Sequence, residues 1–129
     1  MNSDQFCVAP AVRRAAFLTA FGTLCVLCGC HSAFVQTTIL NQSGTSLRLV
    51  ELEYPSASFG TTNLDANANY HYRFKIQGSG SAKLDFVDAQ GKTHQSVGPE
   101  LDEGQEGTLL VTIKKAGVVT WVPQLIVGK

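Results

Sequence analysis

From residue 35 onward, apolar and polar residues alternate with a period of two, and that period commits the chain to β-strands. The alternation is cleanest over residues 70–76, where Tyr70, Tyr72, Phe74 and Ile76 share one face and His71, Arg73 and Lys75 the other. This is the pattern of a half-buried antiparallel strand. Val50, Leu52 and Tyr54 alternate with Glu51 and Glu53, Leu84 and Phe86 with Lys83 and Asp85, and Leu109, Val111 and Ile113 with Thr108, Leu110, Thr112 and Lys114. Turn-forming residues separate these runs: Asn41-Gln42-Ser43-Gly44, Gly78-Ser79-Gly80-Ser81, Asp88-Ala89-Gln90-Gly91 and Lys115-Ala116-Gly117. The spacing predicts strands near 35–41, 47–54, 58–62, 70–76, 82–88, 93–97, 108–114 and 118–122. No segment beyond Phe34 repeats its apolar residues every 3.6 positions between helix caps, so the fold class is all-β, a sandwich of seven or eight strands.

Residues 1–34 follow a different logic. Arg13 and Arg14 precede an apolar run from Ala15 to Cys30 of 16 residues with no polar face, which is the layout of a secretory signal able to form a helix. The run is shorter than the roughly 20 residues a bilayer core requires. Its last residues, Leu27-Cys28-Gly29-Cys30, resemble the signal of bacterial lipoproteins. The resemblance implies cleavage before Cys30 and lipidation of that cysteine. It divides the chain into a signal peptide at 1–29, a lipidated cysteine and short tether at 30–34, and a β-sandwich domain at 35–129. It also implies an exported, lipid-anchored protein, and the absence of aspartate after Cys30 is similar to lipoproteins of an outer membrane, facing the periplasm.

All four cysteines (Cys7, Cys25, Cys28, Cys30) fall in this first segment, and after such processing only Cys30 survives. The domain must then fold without disulfides, which 100 residues can do. The spacing Cys25-x-x-Cys28-x-Cys30-His31 brings thiolates close together, but Gly29 stands where a haem-attachment histidine belongs, and a signal threaded through a membrane gathers no zinc shell. No metal and no other cofactor is expected. Removing Arg13, Arg14 and Asp4 from 10 basic and 10 acidic residues leaves 8 and 9. That balance offers no basic face for nucleic acid. Between Cys30 and the first strand lie four residues, so the domain is held within roughly 20 Å of the headgroups.

A second resemblance spans about residues 35–121. Thr38-Ile39-Leu40-Asn41-Gln42-Ser43-Gly44, the run from Leu47 to Tyr54, and Asn63-Leu64-Asp65-Ala66-Asn67-Ala68-Asn69 before the Tyr70 strand are similar to immunoglobulin-like modules of bacterial envelope proteins. The resemblance implies an immunoglobulin-like antiparallel β-sandwich and nothing about activity. A transthyretin-like or carboxypeptidase-regulatory sandwich remains open as the alternative.

Candidate chemistry is sparse. His71, Arg73 and Lys75 form a basic stripe with neighbours about 6.8 Å apart, able to meet anionic headgroups or a carboxylated glycan. A solvated sheet face is the simpler reading, with Glu51, Glu53 and Asp85 on other outward faces to pair across strands. Four carboxylates at 100–106 (Glu100, Asp102, Glu103, Glu106) lack calcium-loop spacing and would solubilise a long connection. The Gly-x-Ser-x-Gly elbow of a hydrolase is missing, and neither His71 nor His94 has a partner set by spacing. Tyr54 and Phe59, flanking Pro55-Ser56-Ala57-Ser58, could present aromatic surface to a sugar or a protein, with Tyr70 and Trp121 as further rings. The possible ligand surface is therefore Tyr54, Phe59, His71, Arg73 and Lys75, with no catalytic residue assigned. The residues favour a non-enzymatic lipoprotein that works through contacts at a membrane with an envelope protein partner; the alternative is a module binding a small ligand or glycan.

Overall fold

A computed structural model describes residues 31–128. The predicted signal, 1–29, and Cys30 lie outside the described residues. The chain divides into a unit at Met1–His31 and a second at Ser32–Lys129, and the second contains the whole β-fold. Among the described residues no helix is long and apolar enough to cross a membrane.

Among the described residues eight strands form: β1 (Val35–Gln42), β2 (Leu47–Tyr54), β3 (Ala57–Leu64), β4 (Asn69–Phe74), β5 (Gly80–Val87), β6 (Thr93–Leu101), β7 (Gln105–Lys114) and β8 (Val119–Val127). They make two four-stranded sheets, in the order β4-β1-β7-β8 and β3-β2-β5-β6. The inward residues of both sheets meet in one apolar core that includes Ile39, Val111 and Ile113 from the first and Leu52, Leu84 and Phe86 from the second. Burial follows the alternation: Ala82, Leu84 and Phe86 are buried while Lys83 is exposed, and Leu109 and Val111 are buried on either side of exposed Leu110. The all-β sandwich is thus observed. Every strand pair is antiparallel except one, β1 with β7, which runs parallel from Val35↔Gly107 to Gln42↔Lys114. A constant-type immunoglobulin domain groups its strands as ABED and CFG. The order here differs from that grouping.

Several local expectations are corrected. The strand predicted at 70–76 ends at Phe74, so Lys75 leaves the sheet and the basic stripe has two strand members, not three. β1 includes Asn41, as the strand predicted at 35–41 does, and extends to Gln42, which the sequence places in the turn alone. The acidic tract at 100–106 is no long connection: β6 runs through Leu101, which is fully buried, and β7 begins at Gln105. Only residues 102–104 turn, with the Asp102 amide donating to Gln105 Oε1 at 2.9 Å.

β2 carries an irregularity that the alternation did not announce. Its register against β5 shifts between Arg48 and Glu51. Leu49 takes a left-handed φ of 49° and stands 62% exposed. The bulge lets Leu47 and Val50, three residues apart, both face the core.

The core admits two buried polar side chains on β1. Asn41 is fully buried, and its Nδ2 donates to the carbonyls of Thr45 at 2.8 Å, Leu64 at 2.9 Å and Asp65 at 3.1 Å. Its Oδ1 accepts from the Ser43 amide at 3.0 Å and the Ser43 hydroxyl at 2.6 Å. One side chain thereby ties the β1–β2 turn to the β3–β4 turn. Thr37 is 2% exposed, and its Oγ1 finds no hydrogen-bond partner among the described residues.

Candidate functional site

Four turns collect at the end of the sandwich away from residues 31–34, because β1 leaves the chain start and each later strand reverses direction or crosses between sheets. Three of them line a pocket of about 430 Å³: Ser43 and Thr45 from β1–β2, Asp88, Gln90 and Lys92 from β5–β6, and Lys114, Ala116 and Gly117 from β7–β8. His94 also lines it, with the buried Leu47 and Phe86 beneath.

The β5–β6 hairpin builds the centre of this site. The Asp88 amide donates to the Lys92 carbonyl at 2.9 Å, and the Gly91 amide donates to the Asp88 carbonyl at 3.0 Å. Asp88 Oδ1 accepts from the amides of Gln90 at 3.0 Å and Lys92 at 2.9 Å, as turn-forming aspartates do. Its Oδ2 lies 2.8 Å from His94 Nε2. The bond from His94, then that from the Lys92 amide, holds the Asp88 carboxyl below its ordinary value.

With Asp88 ionised, Nε2 is the donor in this bond. The imidazole stacks on the cross-strand Phe86 ring, with centroids 5.0 Å apart and planes 15° from parallel. Gly117 closes the other side: it has a φ of 75°, and a Cβ there would stand 2.4 Å from His94 Nδ1. The turn at Lys115–Gly117 also places Ala116 at a φ of 63°, so two successive residues are left-handed, as a tight hairpin turn requires.

His94 therefore has the carboxylate partner that its sequence context did not reveal. A readable signal did exist: Val87 pairs with Thr93, which makes Asp88 and His94 near neighbours across a hairpin whose turn was predicted. Nucleophilic hydrolysis would further need a hydroxyl or thiol bonded to the ring. Among the described residues none makes that contact; the Ser96 hydroxyl instead accepts from Trp121 Nε1 at 3.0 Å.

The predicted ligand residues lie elsewhere and do not converge on this pocket. Tyr54, Phe59, Tyr70, Tyr72 and Phe74 form an aromatic cluster where the edge strands β3 and β4 of the two sheets meet. Phe59 is 6% exposed and stacks under Tyr72 with centroids 4.2 Å apart; Tyr54 packs on Phe74 at 4.3 Å. Burial, then the neighbouring Tyr72, pushes the Tyr54 phenol above its ordinary value. Trp121 sits at the opposite edge, against Gly98 of β6, where a Cβ would come within 2.7 Å of the indole. Three of the four rings named as a glycan platform (Tyr54, Tyr70, Trp121) are half-buried and packed against the core. They close the two open edges of the sandwich.

His71 lies on the outer face of the first sheet, its Nδ1 3.0 Å from Thr38 Oγ1. The Arg73 guanidinium rests 3.9 Å over the Phe34 ring, a cation–π contact. The carboxylates expected to balance this stripe are on the other sheet. Glu53 there faces Lys83, and Glu51 faces Asp85 across β2 and β5. Glu51 accepts from the Ser58 hydroxyl at 2.6 Å. Among the described residues no group of three or more histidine, cysteine or carboxylate side chains could hold a metal.

Neither a protein-family model nor a curated protein sequence matches the chain. Among solved structures, the NMR structure of a protein from Eubacterium rectale is similar, with a TM-score of 0.53 and 8% identity over 74% of this chain and 95% of that one. At that identity the likeness is one of fold alone.

Proposed function

We propose that this chain is an exported lipoprotein, anchored through Cys30, whose sandwich acts as a non-enzymatic accessory or assembly module close to a membrane. The observation that carries the reading is how early the fold begins. Val35 is fully buried and pairs with both Phe74 and Gly107. Order extends back one residue further, since the Phe34 carbonyl accepts from the Gly107 amide at 3.2 Å and its ring lies under Arg73. From Cys30 to Phe34 the chain can reach at most about 14 Å.

A lipid on Cys30 would hold the end carrying Phe34, Arg73 and Lys75 next to the headgroups and turn the four-turn end outward. Contacts with an envelope partner belong at that outer end. Two signals usually make an anchor stable, a lipid chain with a second chain or a basic patch, and Arg73 and Lys75 are placed to assist. The test is metabolic labelling with palmitate followed by fractionation. The protein should take up label and sediment with membranes, and Cys30→Ala should lose both. Label persisting in that variant, or wild-type protein staying in the aqueous fraction, would overturn the reading.

A further inference from the structure

We propose that the pocket at the four-turn end binds a small ligand through an oxyanion, a carboxylate or a phosphate. Its charge arrangement carries the inference. Two lysines, Lys92 and Lys114, line the pocket against one carboxylate, Asp88. Both oxygens of that carboxylate are already occupied, Oδ1 by two turn amides and Oδ2 by His94. Among the described residues neither lysine has a carboxylate within ion-pair distance. What the site has left to offer is positive charge and side-chain donors, the combination that takes an oxyanion.

The rim is also held in shape before any ligand arrives. The Asn41 network fixes the turn bearing Ser43 and Thr45. The Asp88 bonds fix the turn bearing Gln90 and Lys92. The Lys114 amide donates to the Val118 carbonyl at 2.7 Å across the third. A rim already ordered saves the entropy that a mobile one would lose on binding.

Two other hollows carry less. One, beside Ser58 and Thr61, is lined by Glu51 and repels anions. The other, beside Gln36, contains His71 and Arg73, which are engaged by Thr38 and Phe34. The proposal does not depend on lipidation: binding should be the same whether or not Cys30 is modified.

Calorimetric titration of the purified full chain tests it, with citrate and inorganic phosphate as probes and N-acetylglucosamine as the uncharged comparison. Citrate, phosphate or both should saturate one site, and which of them does so distinguishes the carboxylate from the phosphate form of the ligand. N-acetylglucosamine should not bind in the same range. The double variant Lys92→Gln/Lys114→Gln, with an unchanged melting temperature because both lysines are exposed, should weaken binding at least about ten-fold. Lys75→Gln/Lys83→Gln, which keeps the pocket and removes equal charge elsewhere, should leave it unchanged. Failure of both anions to saturate, equal binding of N-acetylglucosamine, or equal loss in the two double variants would overturn the proposal.

Discussion

Two inward positions on β1, Thr37 and Asn41, handle a buried polar group in opposite ways. Asn41 satisfies both ends of its amide against two turns, and its loss would take a donor from the buried Leu64 carbonyl. Asn41→Ala should therefore cost about 2–4 kcal/mol in denaturant-induced unfolding, well beyond an ordinary surface change. Thr37 leaves its hydroxyl unpaired in the core, and the near-isosteric Thr37→Val should stabilise by about 1 kcal/mol in the same measurement. Both residues read simply as strand members in the sequence, Asn41 even as a turn former. Single-residue patterning cannot tell which inward polar group has a partner, because the partners of Asn41 in β3–β4 lie more than twenty residues away.

At the level of elements, all eight strands were legible, since inward and outward residues alternate along most of them and turn chemistry marks most of the ends. Lateral order was not. Tyr72 has the spacing of a core residue yet is 41% exposed, because β4 is an edge strand and only part of its inward face is covered. The parallel β1–β7 pair joins segments some seventy residues apart, and the bulge at Leu49 depends on the register with β5; neither leaves a periodic trace. The site was legible in the same uneven way. The turn at 88–91 was read correctly and His94 was noticed, but their bond crosses the hairpin.

That bond gives the β5–β6 element a pH dependence with a definite sign. The folded-state carboxyl of Asp88 lies below its ordinary value of 3.8, so its contribution to stability is present above that value and is lost as pH falls through the lowered one. In an acid titration followed by circular dichroism, wild type should lose stability on going below pH about 4, and Asp88→Asn should be less stable at neutral pH with a flatter acid limb. Gly117→Ala should behave similarly in one respect. Its methyl would have to displace the imidazole, so this variant too should flatten the limb while keeping Asp88 itself.

For the whole molecule, the two ends of the sandwich have different characters. One receives the chain from residues 31–34 and carries Phe34 under Arg73; the other gathers the pinned turns around His94, Lys92 and Lys114. An anchored protein with the first end at the bilayer would offer the second to whatever it meets, so the lipid would set orientation as well as location. The account rests on Cys30 being the mature first residue. Intact-mass spectrometry of the protein extracted from membranes tests this most directly. It predicts a chain that begins at Cys30 and carries the added mass of a lipid on that residue. A chain that retains residues 1–29, begins at any other residue, or begins at an unmodified Cys30 would contradict it.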